Sequence, residues 1–153
     1  MYNTIVVGTD LSESAAKAVQ QAADLAKAGG AKLHIVCAFK PAMTVSVAAT
    51  SLEAMAYGGA DMVLEAESKI ADEVESALDR ISKDLAGKGI AVTPHVVAGD
   101  PADALIDVAE QTGADLIVVG NRGMGGVKRF VLGSVPNKIS HHSPCSVLIA
   151  KTS

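Results

Sequence analysis

Short apolar runs alternate with helix-period segments along the chain, and this alternation decides the fold class. Thr4-Ile5-Val6-Val7, Leu33 to Phe39, Ala91 to Ala98, Leu116 to Val119 and Val147 to Ala150 all have strand length. Strands covered on both faces read as near-continuous apolar runs rather than as alternating ones. Between them, apolar residues recur every three or four positions, the signature of amphipathic helices. Ser12 caps the first helix, which carries Ala15, Ala18, Val19, Ala22 and Leu25 on one stripe to about Ala28, where Gly29-Gly30 stops it. The second runs from about Asp61 to Ala86 with Val63, Ala66, Ile70, Val74, Ala77, Ile81 and Leu85 in line, and Gly87 and Gly89 end it. Asp100-Pro101 opens the third, with a capping carboxylate followed by a proline where a missing N–H costs nothing; Gly113 closes it after Thr112. A short fourth starts near Ser134.

The resulting β-α-β-α-β-α-β-α-β order predicts an α/β fold: a single doubly wound domain, 1–153, with a five-stranded parallel sheet and helices on both faces. A length of 153 residues suits one domain with a substantial core. Two doubly wound strand orders are common, 2-1-3-4-5 and 3-2-1-4-5, and Pro94 chooses between them. Proline cannot donate to a central ladder, so the third strand belongs at an edge, which holds only for 3-2-1-4-5. The ligand crevice then lies beyond the carboxyl ends of strands one and four, where the winding reverses. The stretch 40–59 fits no period, and a loop of that length in a compact domain is read as a flexible lid.

Composition removes several function classes. Net charge is -4, from 13 Lys+Arg against 17 Asp+Glu, and aromatic residues are 3%, so neither a basic nucleic-acid surface nor a base-stacking platform is expected. No apolar run reaches the roughly 18 residues of a membrane span, and the N-terminus lacks a signal-peptide pattern, so a cytoplasmic location is expected. Cys37 and Cys145 form no CxxC pair and read as reduced thiols, Cys37 as a core side chain.

Two loops open at the predicted crevice. One is Gly8-Thr9-Asp10, and the other is the glycine-rich segment from Gly120 to Leu132 that leads through Gly133-Ser134 into the last helix. Consecutive backbone N–H groups in such a loop can form an anion nest, and a helix N-terminus favours phosphate. Arg122, Lys128 and Arg129 concentrate positive charge in that loop of a net-negative chain. The plainer alternative is a glycine-rich connection with no ligand. The chain has no GxxxxGK[ST] run, no GxGxxG after the first strand and no GxSxG elbow. A P-loop NTPase, a dinucleotide site and a serine hydrolase are therefore not expected.

Gly120-x2-Gly123-x9-Gly133-Ser134 resembles the nucleotide-binding motif GxxGx9G[ST] of the ATP-binding branch of the universal stress protein family. Ile5-Val6-Val7-Gly8-Thr9-Asp10-Leu11-Ser12 and Pro144-Cys145-Ser146-Val147-Leu148-Ile149 resemble that family's first and last strands, so the likeness covers essentially the whole chain. The resemblance implies an adenine nucleotide alpha hydrolase-like domain that binds ATP in the strand-one/strand-four crevice and acts as a nucleotide-dependent stress regulator or sensor. Carried over by position, it implies that Gly8, Thr9 and Asp10 contact the ribose and that Ala38 lines the adenine pocket. Val119 and Gly120 would flank the ribose, while Gly123, Gly133, Ser134, Val135 and Pro136 would hold the phosphates. Arg122 would stand at the phosphate mouth. Pro136 departs in detail, since it has no N–H to offer. AMP or cyclic AMP in the same crevice is the alternative ligand, and a slow ATPase the alternative activity. A turnover enzyme is not expected, because no general base is aimed at a γ-phosphate.

Asp10 has two readings: a carboxylate touching Mg2+ on a bound nucleotide, or one that only orders the turn into the first helix. His141, His142 and Cys145 suggest metal ligands, but adjacent histidines on a helix point about 100° apart and structural zinc takes four ligands, so a dipole-suited helix end is the plainer reading. His34 reads as a satisfied, half-core residue and His95, beside Pro94, as solvent-facing. The last strand, Val147 to Ala150, is an apolar sheet edge that invites pairing. The resemblance implies a homodimer through it; masking by Lys151 and the tail is the alternative. A regulatory protein partner is left unidentified.

Overall fold

The computed structural model describes residues 1–40, 59–121 and 132–152. The lid expected over 40–59 lies outside the described residues, apart from its two ends. Among the described residues, nine elements follow in chain order: β1 Thr4–Gly8, α1 Glu13–Gly29, β2 Lys32–Phe39, α2 Gly59–Gly87, β3 Ala91–Ala98, α3 Pro101–Thr112, β4 Leu116–Gly120, α4 Ser134–His142 and β5 Ser146–Ala150. The sheet is parallel throughout, in the order β3-β2-β1-β4-β5. Pro94 stands opposite Ile35 on the edge strand β3, where the sequence argument needs it.

Side chains alternate between the two faces of each strand, so each strand feeds two cores. Ile5, Val7, Leu33, Ile35, Cys37, Leu116 and Val118 pack under α1 and α2. Val6, Val36, Ile117 and Val119 pack under α3 and α4 with Leu105, Val108 and Ile139. Both faces being covered explains the unbroken apolar runs. On α1, the contact row is mostly alanine (Ala18, Ala22, Ala23 and Ala26, all buried), so the helix lies close on the strands.

α2 departs from the expected single stripe. Its 29 residues make a helix about 43 Å long at 1.5 Å per residue, whereas an eight-residue strand reaches about 26 Å. Its C-terminal end turns into β3 within three residues, so that half is fixed to the sheet. Leu78 and Leu85 are buried there, with Val74 and Ile81 packed beside them. Leu78 was not on the expected stripe. Ala66 and Ile70 were, yet both are exposed, as are Met62 and Leu64. The helical period continues past the point where the sheet below it ends.

Candidate functional site

β1 and β4 are neighbours, with Val7 opposite Val118, and their carboxyl ends open together where the winding reverses. The backbone after β1 is tightly bound. The buried Thr9 donates its N–H to the Val36 carbonyl of β2 at 2.9 Å, and its Oγ1 accepts the Leu11 N–H at 3.0 Å. Asp10 Oδ1 accepts the Ser12 N–H at 3.0 Å and also the Ser12 hydroxyl, while Ser12 Oγ accepts the Ala15 N–H at 3.1 Å and so caps α1. Of the two readings of Asp10, the turn-ordering one is visible in these bonds. Leu11 sits at φ 65°, a left-handed conformation that costs a leucine roughly 1–2 kcal/mol. Gly8 has a packing reason: a Cβ there would stand 2.8 Å from Leu105 Cδ1 on α3.

Ala38 lies half-buried near the end of β2, opposite Val97 and packed against the α3 side of the sheet. Val119 is buried in that same core. Gly120 ends β4 opposite Ala150. Cys37 is buried, and burial followed by the nearby Asp10 charge pushes its thiol pKa up, so it stays protonated as the core residue expected.

The far wall of the crevice is the N-terminus of α4. α1 and α3 are capped by side chains, Ser12 for one and Asp100 for the other, the latter accepting the N–H groups of Ala102 and Asp103. α4 is not. Its N-cap, Gly133, has the extended backbone of a capping residue (φ -58°, ψ 161°) but no side chain to close the helix end. The N–H groups of Ser134 and Val135 therefore find no acceptor among the described residues. Pro136, buried in the next position, contributes none. The start of α4 thus presents two open donors at the positive end of a helix dipole.

Asn121, which the sequence reading passed over, holds this wall in place. Its N–H donates to the Ala150 carbonyl at 2.9 Å, its carbonyl accepts the Gly133 N–H at 3.2 Å, and its Oδ1 accepts both the N–H and the hydroxyl of Thr152 at 2.9 and 2.8 Å. Thr152 is buried, and its carbonyl accepts from Lys17 Nζ of α1 at 3.0 Å. One amide side chain thereby links the ends of β4 and β5 to the start of α4. Across the surface nearby, Lys138 reaches Asp103 at 2.7 Å and Asp100 at 3.3 Å, joining α4 to α3. The Asp103 N–H and the Lys138 ammonium hold the Asp100 carboxyl below its ordinary range. Arg122 and Gly123 lie outside the described residues, as does most of the glycine-rich loop.

The Universal stress protein family model matches residues 1–151. The chain belongs to the universal stress protein family. Universal stress protein YxiE of Bacillus subtilis is 34% identical over 151 residues, 99% of this chain and 100% of its own length. A universal stress protein solved in complex with cAMP is 34% identical, with a TM-score of 0.67 over 99% of this chain and 98% of that one. MJ0577 of Methanocaldococcus jannaschii superposes with a TM-score of 0.81 at 25% identity, over 99% of this chain and 96% of that one. The sheet order and both helical layers are thus those of universal stress proteins.

The remaining candidates do not join this universal stress protein crevice. His141 Nδ1 lies 2.8 Å from the Asn137 carbonyl, a bond within the end of α4, and the His141 and His142 rings stand 6.5 Å apart. Among the described residues, no group of three or more His, Cys, Asp or Glu is placed to share a metal ion. His95 corrects its solvent-facing reading. It is half-buried, and its Nε2 lies 2.9 Å from His34 Nδ1 on β2. The β2–β3 register sets His34 opposite Thr93 and His95 opposite Val36, so the two rings are diagonal neighbours on one face. No helix among the described residues is long and apolar enough to cross a membrane.

Proposed function

We propose that this universal stress protein binds ATP at the β1/β4 switch point and works as a nucleotide-dependent stress regulator. The observation that carries this reading is the uncapped N-terminus of α4. Two donors and a helix dipole without an acceptor are what a phosphate chain takes up. In this reading the Ser134 and Val135 N–H groups and the Ser134 hydroxyl hold phosphate, with Gly133 leaving room for it to approach. Gly123 and Arg122 complete the phosphate mouth, and Pro136 sets the helix start without donating. Gly8, Thr9 and Asp10 meet the ribose from one side and the Val119–Gly120 backbone from the other, and Ala38 borders the adenine. Mg2+ at Asp10 has to compete with the two bonds from Ser12, so the ion contributes less to binding than the α4 cradle does. No residue is assigned to activating a water, and ATP hydrolysis is slow or absent.

Cyclic AMP is the second reading, favoured by one observation: the relative solved in complex with cAMP is 34% identical to this chain. AMP fills the same positions with fewer phosphate contacts. β5 supplies the assembly surface. It pairs with β4 on one side only, and Ile149 is exposed on it, so a homodimer through Val147-Ala150 is part of the proposal, with cytoplasmic regulation through a protein partner as its setting. No nucleic-acid role is proposed.

Denaturing extraction of freshly purified protein, with mass spectrometry of what is released, tests the ligand. ATP near one per chain is the expected result, cyclic AMP would transfer the site to the second reading, and an empty extract is followed by titration with both nucleotides. Failure of both to bind at millimolar concentration would refute the crevice as a nucleotide site. Sedimentation of the wild type against Ile149→Lys tests the edge: a dimer that the lysine dissociates is expected, and a monomeric wild type would refute it.

A further inference from the structure

A second concavity lies between α1 and α2, on the opposite side of the sheet from α3 and α4. It measures about 350 Å³, at the small end of the range for ligand sites. Ala16 and Val19 of α1 and Ile81 and Leu85 of α2 give it an apolar floor, and Leu11 and Arg80 stand on its rim. Two features of that rim are unspent by the fold. Arg80 makes no hydrogen bond or ion pair with another described residue, whereas the nearby Asp84 carboxylate is held by Lys88 at 2.9 Å and Gln20 by Asp24 at 2.8 Å. Leu11 is kept in a left-handed conformation while 38% of it remains exposed, so the fold carries strain there and leaves an apolar side chain partly in water.

We propose that this cavity binds a free anionic amphiphile: an alkyl chain on the Ala16–Val19–Ile81–Leu85 floor, with its carboxylate on the Arg80 guanidinium. The apolar lining asks for a chain, and the single uncompensated charge at its mouth asks for an anion. Thr9 and Ser12 also line the cavity, so its occupant touches the back of the turn that includes Asp10. The ligand therefore biases nucleotide affinity, and by linkage the nucleotide biases the ligand by the same factor. This coupling rests on the nucleotide reading given above; the existence of the site does not.

The test is calorimetric titration of nucleotide-free protein with octanoate, decanoate and dodecanoate below their micellar concentrations. Decanol and decylamine serve as neutral and cationic controls. Saturable binding at one per chain is expected, tightening about threefold to fourfold per methylene until the floor is filled. Arg80→Gln weakens decanoate about twofold to fivefold, the value of an exposed ion pair, and leaves decanol unchanged. Ala16→Phe, at an exposed helical position that tolerates the larger ring, removes binding of both while the unfolding midpoint stays near wild type. No saturable decanoate binding, or binding that Ala16→Phe leaves intact, overturns the site. Equal affinity for decanoate and decylamine overturns the role of Arg80. Repeating the decanoate titration with saturating ATP reads the coupling separately: an unchanged constant overturns the coupling, and a protein that takes decanoate but no ATP refutes the nucleotide reading alone.

Discussion

Replacing Gly133 by aspartate should stabilise the protein and weaken its hold on ATP in one step. The backbone at Gly133 (φ -58°, ψ 161°) is close to that of Ser12 (-73°, 162°), which caps α1. An added Cβ meets its nearest atoms at 3.4 Å or beyond, the Asn121 carbonyl and the Pro136 ring, which is ordinary contact. A carboxylate there reaches the Val135 N–H, while Pro136 offers nothing, so only one capping bond forms. That cap gains a few tenths of a kcal/mol over glycine, the dipole adds about 0.3–1 kcal/mol, and a less flexible unfolded chain adds about 0.4–1 kcal/mol. A net gain of about 1 kcal/mol raises the melting temperature by roughly 2–4 °C in a chain of this size.

The same carboxylate occupies a donor proposed for phosphate and sets a negative charge beside it. At about 5 Å and an effective dielectric constant near 20, one such pair costs about 3 kcal/mol before screening. Solvent screening reduces this to about 1.5–3 kcal/mol, a tenfold to hundredfold loss of ATP affinity. Calorimetric unfolding and ATP titration on the same preparations measure both. Gly133→Asn separates the causes, since it caps without charge and should keep part of the affinity. A rise in melting temperature with unchanged ATP affinity would remove the phosphate from α4. A fall in melting temperature would refute the capping argument itself.

Asn121→Ala leaves the Thr152 N–H and hydroxyl without their shared acceptor in a buried position; a loss of about 1–3 kcal/mol is expected in urea unfolding, and a loss below about 0.5 kcal/mol would mean the tail is not held by this residue. Gly8→Ala forces the buried Leu105 aside and should cost about 1–2 kcal/mol; combined with Leu105→Ala the losses should sum to less than their separate values, and strict additivity would show that the two positions do not meet. Burial holds both His34 and His95 below the ordinary histidine pKa of 6.5, with His95 and then Lys32 adding to the effect on His34. The unfolded chain therefore takes up protons that the fold resists, so this contribution is complete above about pH 6.5 and is lost as pH falls through the lower folded values. Melting temperatures from pH 8 to pH 5 should fall more steeply for the wild type than for His95→Gln, and superimposable profiles would dismiss the pair as a source of acid sensitivity.

Much of this architecture is legible because each element obeys a local rule. Strands covered on both faces read as apolar runs, and Ile5–Val7 and Leu116–Val119 are unbroken, while Leu33–Phe39 is interrupted only by His34. Asp100-Pro101 and Ser12 announce helix starts that the backbone confirms with capping bonds. Pro94 settled a question of topology that periodicity alone leaves open, because a residue without an N–H is tolerated only where a strand has one neighbour. Gly133-Ser134 was visible as the start of a helix next to a crevice, since the same glycine that resembles a nucleotide motif also leaves that helix uncapped.

What escaped the sequence depends on where separate elements end relative to one another. The α2 stripe is real as periodicity, but periodicity does not say where the sheet beneath it stops, so Ala66 and Ile70 passed for core. His34 and His95 become a pair only once the β2–β3 register is fixed; one step of slip would put His95 on the opposite face. Asn121 is the most instructive case. A lone asparagine after Gly120 carries no pattern, and its function arises because β4 and β5 end together and the chain after β5 turns back over them. Through Asn121, the N-cap Gly133 of α4, the end of β5 and, by way of Thr152 and Lys17, α1 share one chain of hydrogen bonds. An anion drawn to the start of α4 and a partner strand pairing along β5 would therefore act on the same few atoms. The residue that links them is identified by its bonds and by nothing in its neighbours along the chain.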